Sequence, residues 1–194
     1  MIEKLNALDT RLFLWLNGHH TAFFDPVMYW VSSKLFWAPF YLFIILLIII
    51  GYKKRSWLIF VGVGLLITLS DQLSSDLIKN TVRRLRPSHA PALEGLVHLS
   101  KAGAGGLYGF VSGHATNSFA LFVFLSLVLD SRFKWLKYVL ACWAVLICYS
   151  RVYVGVHYPG DLLCGALLGS LMGYFVAFLY KWVARPGVLW DDKQ

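Results

Sequence analysis

Ser150 to Asp161, reading S-R-V-Y-V-G-V-H-Y-P-G-D, puts an arginine, a histidine and an aspartate between two apolar runs, Tyr138 to Tyr149 and Leu162 to Tyr180. An arginine or aspartate at full membrane depth costs about 2.5–3.5 kcal/mol, so ionisable groups at such an edge are expected to serve a function. Pro159 suits the first turn of a helix, where its missing N–H does no harm, and Asp161 two residues on sits at the positive end of that helix. His157 then falls in the turn just before. A carboxylate placed there can accept a hydrogen bond from one imidazole nitrogen, fix the tautomer and leave the other nitrogen free to attack an electrophile. The same two residues would also serve simply to cap a helix.

Two more stretches carry chemistry. Lys79 to Pro87, K-N-T-V-R-R-L-R-P, lies where an apolar run with a polar end passes into a long loop. Asp71, Ser75 and Lys79 are four apart and share one helix face, and Asp71 is expected to pair with a polar residue of a neighbouring helix. Arg83 and Arg84 read as solvated or headgroup-facing charge; Lys79 and Arg86 fit that reading less well. Val111 to Ser118, V-S-G-H-A-T-N-S, opens a further apolar run. Ser112 and Gly113 at a helix start present free backbone N–H groups, an anion site, with His114 one turn inside. Three separate segments thus bring two histidines, a lysine, two arginines and a helix N-terminus to one membrane face.

The elements that must hold these residues follow from composition. Of 194 residues, 58% are hydrophobic and 14% charged, against roughly 25% charged in a soluble domain. This is the composition of an integral membrane protein, and the expected fold is an all-α, polytopic membrane helix bundle. Crossing about 30 Å of hydrocarbon takes about 20 helical residues. Five spans are expected: Leu35 to Tyr52, with Pro39 a candidate kink; a second from Trp57; Ser112 to Leu129; Leu136 to Val152; and Pro159 to Val183. A packed half-helix from Pro26 to Ser33 precedes them. The loop from Asn80 to Tyr108 has a length that is usually functional or disordered. Met1 to Asn17 lacks the pattern of a cleavable signal; Ile2, Leu5, Leu8, Leu12, Trp15 and Leu16 recur at helical spacing, which suits an amphipathic helix in the interface or one packed on the bundle. The chain reads as one domain, 1–194: interfacial helices over 1–34, a transmembrane core over 35–183 and a cytoplasmic tail over 184–194. Cys142, Cys148 and Cys164 show no metal spacing and read as small core residues. Basic clusters at Lys53 to Arg55, Arg132 to Lys137 and Lys181 with Arg185 fall on one side of a five-span bundle. The positive-inside rule makes that side cytoplasmic, leaving His114, His157 and the long loop outside.

The three motifs K-x6-R-P, S-G-H and S-R-x5-H-x3-D, in this order over Asp71 to Leu168, resemble the signatures of the phosphatidic acid phosphatase type 2 superfamily. One departure is Val111, where that family usually has proline. The resemblance implies His157 as nucleophile forming a phosphohistidine, Asp161 as its orienting partner, and His114 as general acid and then base. It implies Lys79, Arg86 and Arg151 as clamps on the phosphoryl oxygens, assisted by Ser112 and the Gly113 N–H. No cofactor and no metal are expected, because no carboxylate cluster suited to magnesium or zinc accompanies these residues. The expected partner is a lipid phosphate or diphosphate in the membrane, with no nucleic acid and no obligate protein partner. The expected location is the bacterial cytoplasmic membrane, with the site facing the periplasm or exterior. Lipid-to-lipid phosphotransfer would use the same residues. A vanadate-dependent haloperoxidase or an anion transporter are the readings from other classes.

Overall fold

Long apolar stretches of this chain fold as helices because a helix satisfies every interior backbone N–H and C=O without water. A computed structural model describes residues 2–101 and 103–185; these are 79% helical, with no strand among them. The order is α1 (Ile2–Gly18), α2 (Phe24–Ser32), α3 (Ala38–Tyr52), α4 (Ser56–Asp71), a π-helical segment (Gln72–Ile78), α5 (Lys79–Val82), α6 (Gly113–Val128), α7 (Lys134–Tyr153) and α8 (Pro159–Val183). Pro39 lies in the first turn of α3, so it starts that helix and does not kink it. Three helical stretches are long and apolar enough to cross a membrane: Leu35–Val82, Ser131–Tyr153 and Pro159–Val183; α6 is apolar but shorter. The first of these turns at Lys53, whose φ is +49°. The sequence-based count of five divides that stretch there and includes α6; by length and apolarity alone, three stretches qualify. From residue 186 on, the expected tail lies outside the described residues.

The core is built from α3, α4, α6, α7 and α8, with Ile59, Leu66, Ala120, Phe124, Leu125, Leu140 and Ala144 fully buried in it. Leu163, Leu167, Leu171 and Phe178 of α8 point outward and are exposed, as lipid-facing side chains are. The tightest packing is between α6 and α8. Gly165, Gly169 and Gly173 recur every four residues, and a Cβ on each would press on the carbonyl oxygens of Ser112, Thr116 and Ala120 respectively. Bare glycines let the two backbones approach closely, as small residues do between membrane helices. This fixes the first turn of α6, with His114, against the first turn of α8, with Asp161.

The basic segments gather at the far end of the bundle. Arg132 Nη2 donates to the Gly51 carbonyl at 2.7 Å, and the Asp130 N–H donates to the Tyr52 hydroxyl at 2.7 Å. Arg55, Tyr180 and Ala184 border the same small cavity as Asp130 and Arg132. At the opposite end, α1 lies on the bundle through Phe13 and Asn17, its two buried residues, and leaves Ile2, Leu5, Leu8, Leu12 and Trp15 exposed. One face of the N-terminal helix is therefore packed on the bundle, and the other is apolar and exposed.

Asn17 ties the long loop down. Its Nδ2 donates to the carbonyls of His98, Val152 and Tyr153 at 2.9–3.1 Å, and its Oδ1 accepts the His98 N–H at 2.8 Å. The loop folds back on itself through a bridge between Leu85 and Tyr108. The cysteines are free, but Cys142 and Cys164 are exposed on the outer surface, so only the half-buried Cys148 comes near the expected core position.

Candidate active site

His157 sits in the tight turn between α7 and α8, with Gly155 (φ +84°) supplying the left-handed backbone that the turn requires. His157 is almost wholly buried, 1% exposed, and Asp161 is 0% exposed. Asp161 occupies the third position of α8, where its Oδ2 accepts the Tyr158 N–H at 3.1 Å and faces His157 Nδ1 at 3.4 Å. With Nδ1 engaged, Nε2 is the nitrogen left toward the cavity, 3.4 Å from Arg86 Nη1. Burial above all, then the charges of Arg86, Arg151 and Lys79, pushes the imidazole well below its ordinary pKa and keeps it neutral.

A cavity of about 550 Å³ opens from this nitrogen. Lys79, Arg86, Gly113, His114, Arg151 and His157 line its polar end, so six of the eight sequence-selected residues share one space. The other two stand behind it. Asp161 supports His157, and Ser112 is fully buried as the N-cap of α6, its Oγ accepting the Ala115 N–H at 3.5 Å. The Ser112 N–H donates to the Asp161 carbonyl at 3.1 Å, which joins the starts of α6 and α8. Val111, buried just before it, removes no polar group from this junction. Arg86 is aimed by its Nε, which donates to the Tyr108 carbonyl at 3.1 Å. Arg151 donates from Nη1 to Ser32 Oγ. Among the described residues its buried Nε has no hydrogen-bond partner, which leaves a charged donor unsatisfied beside the cavity.

Away from the charges, the cavity runs between Ile44 and Ile48 of α3, Phe60 and Val63 of α4, Leu121 and Leu125 of α6, and Trp143 and Ile147 of α7. One space therefore offers cations and imidazoles at one end and an apolar crevice at the other. The π-helical segment, with more residues per turn than an α-helix, carries Ser75 between Asp71 and Lys79, and all three line this space. Asp71 Oδ1 accepts from Asn117 Nδ2 of α6 at 2.8 Å, the polar neighbour expected for it.

Several site neighbours escaped the sequence reading. Lys34, just after α2, is a fourth cation lining the cavity. Arg84, read as solvated, is half-buried: Nη1 pairs with Asp161 Oδ1 at 2.8 Å, Nη2 pairs with Asp9 Oδ2 at 2.7 Å, and its guanidinium lies 4.1 Å from the Tyr158 ring centroid. Burial works against its charge, but Asp161 and Asp9 outweigh it and hold Arg84 above the usual guanidinium value. No local pattern signals pairs this distant in the chain. Arg83 differs: it is exposed, with Nε on the Asn80 carbonyl at 3.0 Å.

One group among the described residues has metal-ligand chemistry: His20, Asp25 and His98. The two imidazoles stack 3.6 Å apart and 2° from parallel. Their in-plane lone pairs therefore run side by side and do not converge on one ion. Asp25 Oδ1 already accepts from His98 Nε2 at 3.0 Å and from the Tyr153 hydroxyl at 2.9 Å. The cluster acts as a clamp between α2, the loop and α7.

The model of the PAP2 superfamily matches residues 57–185, which contain all three motifs. The chain belongs to the PAP2 superfamily. Like its relatives, this PAP2 protein is a phosphatase acting on lipid phosphates. It is 37% identical over 188 residues to the lipid A 4'-phosphatase of Bacteroides thetaiotaomicron, covering 95% of this chain and 83% of that one. It is 36% identical over 184 residues to the lipid A 4'-phosphatase of Porphyromonas gingivalis, covering 92% and 75%. In three dimensions this PAP2 chain resembles the transmembrane PAP2 type phosphatidylglycerolphosphate phosphatase of Bacillus subtilis, with a TM-score of 0.67 and 26% identity over 94% of this chain and 89% of that one.

Proposed function

We propose that the protein hydrolyses the phosphate monoester of a membrane lipid through a phosphohistidine on His157, at the membrane face away from the cytoplasm. The observation that carries this is the single cavity whose polar end holds Lys79, Arg86, Arg151 and both histidines, and whose other end is apolar. A lipid fits by placing its phosphate among the cations and an acyl chain in the crevice. His157 Nε2 attacks phosphorus, and the bond from phosphorus to the lipid oxygen breaks as His114 gives that oxygen a proton. His114 then takes a proton from water, whose oxygen attacks phosphorus; the P–N bond breaks and inorganic phosphate leaves. Lys79, Arg86 and Arg151 offset the charge spread over the equatorial oxygens, with the Gly113 N–H at the start of α6 beside them.

The two lipid A 4'-phosphatases, similar over nearly all of this chain, favour a phosphorylated saccharolipid as substrate. Lys34 at the rim suits a headgroup larger than one phosphate. Purified protein given lipid A, undecaprenyl diphosphate, phosphatidylglycerol phosphate and phosphatidic acid is expected to release phosphate from lipid A about ten- to 100-fold more efficiently than from the others. Release from none of them would end the hydrolase reading. Faster release from the polyprenyl diphosphate would replace the substrate class.

Sidedness rests on the basic segments. Division of Leu35–Val82 at the Lys53 turn, with α6 included, makes five spans and puts all three basic clusters at the cytoplasmic end of a protein of the bacterial inner membrane. Single cysteines at the exposed Ala92 and Ser131, with the native three replaced, are to be labelled in intact cells by an impermeant reagent. Labelling is expected at position 92 alone; labelling at 131 alone would invert the topology.

A further inference from the structure

The chain from the interfacial helix to the nucleophile is unbroken. Asp9 lies on α1, and its two oxygens have separate tasks: Oδ2 pairs with Arg84 at 2.7 Å, and Oδ1 accepts the Gly160 N–H, in the first turn of α8, at 2.8 Å. Arg84 spends its other arm on Asp161 Oδ1 at 2.8 Å, and the second oxygen of Asp161 faces His157. We propose that Asp9 is a positioning residue for the reaction, coupling the seating of α1 to the orientation and basicity of His157. This rests on His157 acting as proposed above. None of the three motifs contains Asp9.

The charge sequence explains why the outer carboxylate matters. Asp161 is fully buried, and its pull on the imidazole N–H weakens as its charge is drawn toward Arg84. A second carboxylate on the far side of the same guanidinium takes up part of that charge. It also holds Arg84 in one place, with the Tyr158 ring beneath it. Removal of Asp9 leaves Arg84 with one anionic partner, frees the Gly160 N–H, and leaves α1 held by its packed face, which includes Phe13, Leu14, Leu16 and Asn17. The same helix turns Ile2, Leu5, Leu8, Leu12 and Trp15 outward. An apolar stripe on a helix beside the membrane face is the kind that beds into the headgroup boundary. A lipid surface that seats α1 therefore also seats Asp9 on Arg84.

The other charges around His157 are Arg86 from the loop, Lys79 from α5, Arg151 from α7 and His114 from α6. None of them changes when Asp9 does. Loss of the Asp9 charge raises the net positive field at Asp161, so His157 becomes a weaker base.

The test uses the full chain in lipid nanodiscs, as parent, Asp9→Asn, Asp9→Glu, Arg84→Gln and the double variant Asp9→Asn with Arg84→Gln. Arg83→Ala serves as a control. The first readout is the Nδ1–H resonance of His157 in histidine-labelled protein, assigned with His157→Gln. The second is the pH profile of lipid phosphate release. In Asp9→Asn the resonance is expected to move and kcat to fall about tenfold with KM within about twofold. The acid limb of the profile is expected to shift to lower pH, Asp9→Glu to recover most of the rate, and Arg83→Ala to match the parent. The double variant is expected to be no slower than Arg84→Gln alone, because both act on one path. An unmoved resonance, an unshifted acid limb, or losses that multiply in the double variant would overturn the coupling and leave Asp9 as an anchor for α1. A parent that releases no phosphate while its resonance still answers to Asp9 would sink the hydrolase reading instead.

Discussion

His157→Ala is expected to take lipid phosphate release down by about four to six decades, to the background of the assay, as loss of a covalent nucleophile does elsewhere. The fold should survive. The side chain opens onto an existing cavity, so truncation widens a space already there and leaves no new void in packed core. In the parent, quenching during turnover of labelled lipid should trap a phosphoenzyme that acid destroys and base preserves, as a phosphoramidate on nitrogen requires. The variant should trap none. Asp161→Asn should bind substrate nearly normally yet turn it over slowly, since an amide can offer its N–H to Nδ1 and stabilise the wrong tautomer. Substantial turnover in His157→Ala, with a normal melting profile, would remove His157 from the nucleophile's role.

The extent to which this could be read beforehand differs from residue to residue. The start of α8 was legible because Pro159 and Asp161 each favour one particular helical position, and the structure begins the helix at Pro159 with Asp161 on the Tyr158 N–H. Asp71 was legible as well. A carboxylate in an apolar run must find a donor, and Asn117 provides it. The meeting of Lys79, Arg86, His114, Arg151 and His157 around one cavity followed from where their helices begin and end. Membrane helices of similar length return to the same face.

Other features depend on contacts that no local pattern encodes. Arg84 and Arg83 are neighbours of one type, yet Arg83 points to water and Arg84 bridges residues 75 and 77 positions away. The difference is set by Arg83, whose φ of +51° ends α5 and turns the next side chain inward. Lys34 and Ser32 reach the site only because α2 packs beside α7, and the amphipathic reading of the N-terminal segment could not supply that placement. The glycine series Gly165, Gly169 and Gly173 was present as a four-residue period, and its reading as an α6 contact face needed only the small-residue rule for membrane helices. Cys142 and Cys164 were misplaced because an apolar run looks alike on its lipid face and on its core face.

Arg86 and Arg151 carry the second large effect. Loss of one preorganised charge at a reacting phosphoryl group costs roughly 3–4 kcal/mol of transition-state stabilisation, or about two to three decades in rate. That loss is expected for Arg86→Ala and for Arg151→Ala. Arg86 holds its guanidinium beside the attacking nitrogen, 3.4 Å from His157 Nε2, with its Nε fixed on the Tyr108 carbonyl. Arg151 presents a buried Nε that no described protein group accepts. Lysine at either position should recover only part of the rate, because an ammonium cannot reproduce the planar fork of donors. Arg83→Ala should fall within about twofold of the parent, since an exposed charge contributes little. The measurement is kcat/KM for phosphate release from lipid A by the purified variants, each checked for monodispersity. Similar losses at Arg83 and Arg86 would mean that a different arginine faces the phosphate and that the cavity described here is not where it binds. Losses confined to KM at Arg86 and Arg151 would make them binding groups for the ground state and leave the transition-state charge to Lys79 and the Gly113 N–H.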